Sequence, residues 1–144
     1  MSPELLSLLH STFGHSTFRP GQEQAIESIT AGRDVLLLLP TGGGKSLCYQ
    51  LPAMLEHCSP MIVISPLIAL MDDQVQALRS RGISAIALHS GRDWSQAKED
   101  RERARHAKLL YISPEKLKNK SFRRWLTTLK PKVIAVDEAH CISE

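Results

Sequence analysis

The strongest constraint on the fold is a spacing. Five short, apolar, β-rich segments stand at 34–39, 61–64, 85–88, 108–112 and 132–136, and their starts lie 27, 24, 23 and 24 residues apart. That interval holds one helix and two turns between successive strands, which is the βα unit. Helical spacing occurs where such a unit needs it: Leu67, Leu70, Met71, Gln74, Val75 and Leu78 recur at three- and four-residue steps as one stripe. Ser65 is expected to cap that helix, Pro66 to open it and Gly82 to stop it. The same Ser-Pro opening recurs at Ser2-Pro3 and Ser113-Pro114. The expected fold is therefore α/β, a parallel sheet with helices on both faces joined by right-handed crossovers. The spacing carries no residue-level repeat, so a solenoid is not expected.

Composition narrows the class. The 144 residues are 42% hydrophobic and 23% charged, enough for a buried core and too apolar for wholesale disorder. The longest apolar run, 35–39, is far short of a bilayer span. No basic leader precedes an apolar stretch at the N-terminus, so no secretory signal is expected. Cysteines at 48, 58 and 141 are odd in number and lack C-x-x-C spacing. They favour a reducing, intracellular compartment over a disulfide framework or a structural zinc site. The net charge of +3 is mild, yet seven basic residues and one acid lie between Glu115 and Lys132. That run is either a solvated helix face or a surface for an anionic polymer.

In an open parallel sheet, ligands bind at the carboxyl ends of the strands. The first segment runs into Pro40-Thr41-Gly42-Gly43-Gly44-Lys45-Ser46 and then a helical stretch. Successive glycines let backbone N–H groups turn inward onto a phosphate, and a following helix adds its positive end. Lys45 is placed to reach the β- and γ-phosphates and the Ser46 hydroxyl to hold Mg²⁺. Leu39 stands where the strict phosphate-loop pattern has its first glycine, and Gly42 to Gly44 supply the flexibility instead. The last segment ends in Asp137-Glu138-Ala139-His140. A carboxylate at a strand tip suits Mg²⁺, and a second beside it suits orienting and deprotonating a water. Asp137 is assigned to the metal and Glu138 to the water. Together the two motifs make Mg-dependent nucleoside triphosphate hydrolysis the leading chemistry.

These segments resemble superfamily 2 helicases. Pro40 to Ser46, Asp137 to His140 and the run from Ser65 to Val75 look like that superfamily's ATPase, DEAH-box and Ia motifs. Phe13-Gly14-His15-Ser16-Thr17-Phe18-Arg19-Pro20-Gly21-Gln22 is similar to the adenine-recognition motif of the RecQ family. The resemblance implies a P-loop NTPase, RecA-like lobe, truncated before its last strands. Residues 1–32 would be an N-terminal helical segment with the adenine motif, and 33–144 a partial ATP-binding domain. It further implies ATP and Mg as cofactors and 3′–5′ DNA unwinding in repair and recombination, with no membrane partner. Localisation would be cytoplasmic or nucleoid-associated, or nuclear in a eukaryote. Gln22 would read the adenine edge, Arg19 brace it and His15 stack on the base. Pro40, Thr41, Gly42, Gly43, Gly44, Lys45 and Ser46 would cradle the nucleotide, and Lys45, Asp137 and Glu138 would carry catalysis. Ser65, Pro66, Leu67, Ser90 and Ser113 would face DNA, single-stranded or being unwound, with His140 coupling the two sites. The isolated chain is expected to lack unwinding activity. Two alternatives stand beside this reading: a non-catalytic nucleotide- or nucleic-acid-binding fragment, and an RNA-directed helicase of the same superfamily.

Overall fold

A computed structural model of the chain describes residues 3–37, 44–89 and 94–137. The chain divides into two compact units, Met1–Cys58 and Ser59–Glu144. The N-terminal unit is helical where described. Helix α1 (Pro3–Ser11) buries Leu5 and Leu9, α2 (Gln22–Thr30) buries Gln22, Ala25 and Ile26, and α3 (Lys45–Gln50) buries Leu47, Cys48 and Tyr49. Helices α2 and α3 pack on each other. Two 3₁₀ turns, Pro52–Met54 and Glu56–Cys58, complete the unit.

The C-terminal unit contains four of the expected strands: β1 (Met61–Ile64), β2 (Ala85–Leu88), β3 (Leu109–Ile112) and β4 (Val133–Val136). They form one parallel sheet in the order β2-β3-β1-β4. Between them run α4 (Ile68–Ser80), α5 (Trp94–Ala104) and α6 (Lys120–Thr128). The strand order decides which face each helix covers. The step from β1 to β2 goes one way across the sheet, and the steps to β3 and then β4 go the other way. Right-handed crossovers then put α4 on one face and α5 with α6 on the opposite face. Packing agrees. Ile62, Ile86, Leu88, Leu110 and Ile112 form one core with Ala104, Phe122 and Leu126, and Trp125 packs against it. On the other face, α4 packs on β2, burying Met71, Val75 and Leu78, and the Arg79 Nε–H donates to the Ala85 carbonyl at 2.9 Å. Fully burying each such aliphatic side chain contributes about 1.5–3 kcal/mol.

Several local expectations are corrected. The 34–37 stretch forms no strand, and Leu36 is 86% exposed; residues 38 and 39 lie outside those described. An apolar run becomes a strand only when a neighbour takes its backbone hydrogen bonds, and among the described residues none does. Helix α4 is capped by Leu67 and opens at Ile68, not at Ser65 and Pro66 as expected, although the Ser65 hydroxyl oxygen accepts the Leu67 N–H at 3.4 Å. Its stripe is also narrower than expected, because Leu67 and Leu70 are exposed. Gly82 does stop the helix. At φ +81° it turns the chain left-handed, so that its N–H reaches the Arg79 carbonyl and that of Ile83 the Leu78 carbonyl, each at 3.0 Å. After Ser113-Pro114 the chain makes a 3₁₀ turn at Lys116–Lys118. Helix α6 then starts under the cap of Asn119, whose side chain accepts the Phe122 N–H at 3.0 Å.

Candidate functional site: a glutamine strut and a polar strand-end row

In the N-terminal unit the adenine-motif residues are brought to the start of α3. Gln22 is 3% exposed, which its place in a polar loop sequence does not announce. Its Oε1 accepts the Arg19 N–H at 2.8 Å, and its Nε2 donates to the Gly44 carbonyl at 3.0 Å. The side chain is thus a strut between the Arg19 turn and the residue that opens α3. Gly44 adopts φ +78°, and a Cβ there would stand 2.4 Å from Gln22 Nε2. Glycine is required both by the left-handed backbone and by the closeness of the glutamine. Lys45 and Ser46 follow, half-buried, in the first turn of α3. His15 and Arg19 are exposed, while Phe13 and Ile26 are buried as packing residues. An amide has two donor hydrogens and two acceptor lone pairs, so the strut leaves one donor and one acceptor of Gln22 for a ligand. Burial pushes the Cys48 thiol up to about 11 and raises that of Cys58, so Cys48 beside the loop stays protonated and is no nucleophile.

In the C-terminal unit the ladder runs one residue past each strand on the carboxyl side. The Ser113 N–H donates to the Leu88 carbonyl, the Ser65 N–H to Ile112 and the Asp137 N–H to Ile64, at 3.3, 3.1 and 2.9 Å. In sheet order the edge therefore reads His89, Ser113, Ser65, Asp137. Strand alternation gives all four side chains the face that α4 covers, since they continue the series 85/87, 109/111, 61/63 and 133/135. Ser65 and Ser113 are buried. Two atoms of the row, His89 Nδ1 and Ser113 Oγ, are buried with no hydrogen-bond partner among the described residues. The other His89 nitrogen lies 3.5 Å from the Asp72 carboxylate on α4. A buried polar atom without a partner is costly unless a ligand or water completes it. Above the row, Leu67, Ile68 and Leu70 leave apolar surface exposed at the start of α4.

The structure thus gathers Arg19, Gln22, Gly44, Lys45 and Ser46 in one unit, and Ser65, Ser113 and Asp137 along one sheet edge. Pro66 and Leu67 lead from that edge into α4. Pro40, Thr41, Gly42, Gly43, Ser90, Glu138 and His140 lie outside the described residues. Two contacts of the candidate site escape sequence reading: the Gln22–Gly44 bond and the Asp72–His89 pair. Both join residues 17 or more positions apart with no spacing rule. Only the strand-end position of His89 and the early-helix position of Asp72 hinted at the second.

Comparison with known proteins follows the same lines. The profile described as "DEAD/DEAH box helicase" matches residues 19–144. The chain is 45% identical, over 99% of its length, to the ATP-dependent DNA helicase RecQ of Haemophilus influenzae, of which it covers 23%. It is 44% identical to the RecQ helicase of Bacillus subtilis, with 96% of this chain and 24% of that protein covered. To the probable ATP-dependent DNA helicase RecS of the same organism it is 43% identical, over 98% of this chain and 28% of that one. The chain therefore spans about a quarter of the length of these curated relatives. Among solved structures, a hypothetical ATP-dependent RNA helicase from Sulfolobus tokodaii superposes with a TM-score of 0.75 at 19% identity. That superposition covers 99% of this chain and 43% of the other, and it shows the RecA-like fold.

Proposed function

Since the chain belongs to the DEAD/DEAH box helicase family, we propose that it is the nucleotide-binding front of a RecQ-like motor in which ATP hydrolysis drives DNA unwinding. The observation that carries this reading is the buried Gln22 strut. An adenine-reading amide is bonded directly to the residue that opens the phosphate-loop helix, so base and phosphate recognition share one support. The second Nε2 hydrogen and second Oε1 lone pair match the acceptor and donor of the adenine edge. His15 stacks on the ring and Arg19 braces the turn. Backbone N–H groups from Thr41 to Gly44, in the loop that Pro40 opens, and the Lys45 ammonium hold the phosphates. Ser46 and Asp137 offer a hydroxyl and a carboxylate, the hard oxygen donors that Mg²⁺ takes. Mg²⁺, when bound, neutralises charge on the phosphates. Glu138, next to the strand-end Asp137, accepts a proton from the attacking water.

DNA is assigned to the strand-end row. Ser65, Ser113 and Ser90 supply hydroxyls, and Pro66 and Leu67 supply an apolar shoulder to a single strand laid across the carboxyl edge. His140 couples this edge to the hydrolytic residues. No helix among the described residues is long and apolar enough to cross a membrane.

The test is a nucleotide and polynucleotide competition. Binding of Mg-ATP and Mg-GTP is measured by calorimetry, and hydrolysis is followed with single-stranded DNA or RNA of matched sequence, beside Glu138→Gln. The expected result is preference for ATP over GTP, stimulation by DNA above RNA, and retained binding without hydrolysis in Glu138→Gln. Equal affinity for GTP would overturn the adenine reading. Equal stimulation by RNA would favour the RNA-directed alternative, because the 2′-OH is the main local difference. Hydrolysis undiminished in Glu138→Gln would remove that residue from the mechanism.

A further inference from the structure

The basic run between Glu115 and Lys132 is absorbed by neither site. The structure separates it into two groups at opposite ends of one layer. Helix α6 follows β3 and returns the chain to the start of β4, so its first turn lies at the carboxyl edge of the sheet and its end at the amino edge. Lys118, Lys120, Arg123 and Arg124 therefore lie toward the carboxyl edge, on the sheet face opposite the side chains of the strand-end row, whereas Lys130 and Lys132 lie at the far end. All six are exposed. The buried side of α6 is anchored by Phe122 and Leu126, and Lys116 Nζ lies 5.4 Å from the centre of the Phe122 ring. The Arg123 guanidinium donates to the Leu117 carbonyl, which pins its head beside the 3₁₀ turn. Among the described residues, none of the four forms an ion pair.

This arrangement works against the helix that carries it. The first turn holds no acid, and cations there oppose the positive end of the helix dipole. Like charges three and four residues apart on one helix also repel. An anionic partner removes both costs at once. The cluster is exposed at the carboxyl edge of the sheet, and phosphodiester oxygens are the natural complement of clustered Lys and Arg.

We propose that Lys118, Lys120, Arg123 and Arg124 form an apron that holds the phosphate backbone of single-stranded DNA as it passes from the strand-end row across the carboxyl edge onto the α6 face. The proposal rests on the reading of DNA as substrate but assigns it a second contact surface. That surface grips backbone charge and not base identity, so its contribution is independent of sequence and dependent on salt.

The experiment uses the full chain and a fluorescein-labelled oligo-dT, with anisotropy titrations at several KCl concentrations. One triple variant is Lys118→Gln/Lys120→Gln/Arg124→Gln. The control, Arg103→Gln/Lys130→Gln/Lys132→Gln, removes the same net charge from positions away from the apron. Both are checked by thermal melting, and the apron variant is expected to melt no lower than the parent. Three lost phosphate contacts lower the slope of log affinity against log salt by about 2 for a single strand. The apron variant's deficit therefore shrinks by more than about tenfold between ~50 and ~200 mM KCl. The control keeps the parent slope. If the two triples lose slope equally, or neither does, the apron is refuted while DNA binding stands. If the parent chain shows no anisotropy change at low salt, the DNA reading falls and the apron with it.

Discussion

Replacing Gln22 tests whether one side chain supports both ends of the nucleotide. In Gln22→Ala the Arg19 N–H and the Gly44 carbonyl lose partners now at 2.8 and 3.0 Å. At roughly 1 kcal/mol net per bond, with the buried stem lost as well, the N-terminal unit is expected to lose about 2–3 kcal/mol. The stability loss is read by urea unfolding, but the decisive assay is calorimetry with two ligands, Mg-ATP and Mg-tripolyphosphate. Tripolyphosphate has no base. If Gln22 acts through Gly44, loss of that one bond weakens tripolyphosphate about fivefold. Two missing bonds to adenine weaken ATP by about a further thirtyfold. Gln22→Glu sharpens the test. It keeps an acceptor for Arg19 but sets an oxygen in place of Nε2 against the Gly44 carbonyl, so at neutral pH it should do as badly as alanine. Below the ordinary carboxyl range, about 4.3, the protonated side chain regains a donor and the deficit narrows. An ATP defect with unchanged tripolyphosphate binding would refute the strut and leave Gln22 as a base reader alone.

Other outcomes follow from the same geometry. Gly44→Ala puts a Cβ 2.4 Å from Gln22 Nε2 at φ +78°, and should cost at least about 1 kcal/mol of stability in an unfolding titration and weaken both ligands. Lys45→Ala should abolish the nucleotide-induced rise in melting temperature. In the parent that rise corresponds to about 2.7 kcal/mol at a hundred times the dissociation constant. Leu110→Ala, fully buried in the α5/α6 core, should destabilise the sheet unit by about 2–5 kcal/mol in the same titration. Cys48 ionises at about 11 when folded against 9.0 ordinarily. Its contribution to stability is thus complete below pH 9, declines as the unfolded thiol ionises, and is lost by the folded value. Iodoacetamide labelling of Cys48 in the native chain should accordingly stay slow through pH 9, and fast labelling of it at neutral pH would contradict its burial.

What could be read in advance divides along a physical line. Spacing and short apolar runs place Met61–Ile64, Ala85–Leu88, Leu109–Ile112 and Val133–Val136 because those signals are local: each segment carries its own run at the interval of one βα unit. Neighbours are another matter. The order β2-β3-β1-β4 came from no residue pattern. The 34–39 run has as strong an apolar signal as any strand, yet 34–37 is outside regular structure and Leu36 is exposed. Strand character is a property of a pair, since the backbone groups of one strand are satisfied only by another. β4 illustrates the same rule from inside the sheet. Its register with β1 is complete, but it is an edge strand among those described, and Ile134 is 62% exposed. The site follows suit. Lys45, Ser46 and Asp137 could be proposed from the sequence because phosphate and metal chemistry ask for residue types at fixed offsets. The Gln22–Gly44 and Asp72–His89 contacts were not, because they connect elements whose approach is decided by packing. A motif therefore proposes residues for a ligand and is silent on those that hold them in place. The second group is the one that substitution at Gln22 interrogates, since its amide touches Arg19 and Gly44 before it can touch any nucleotide.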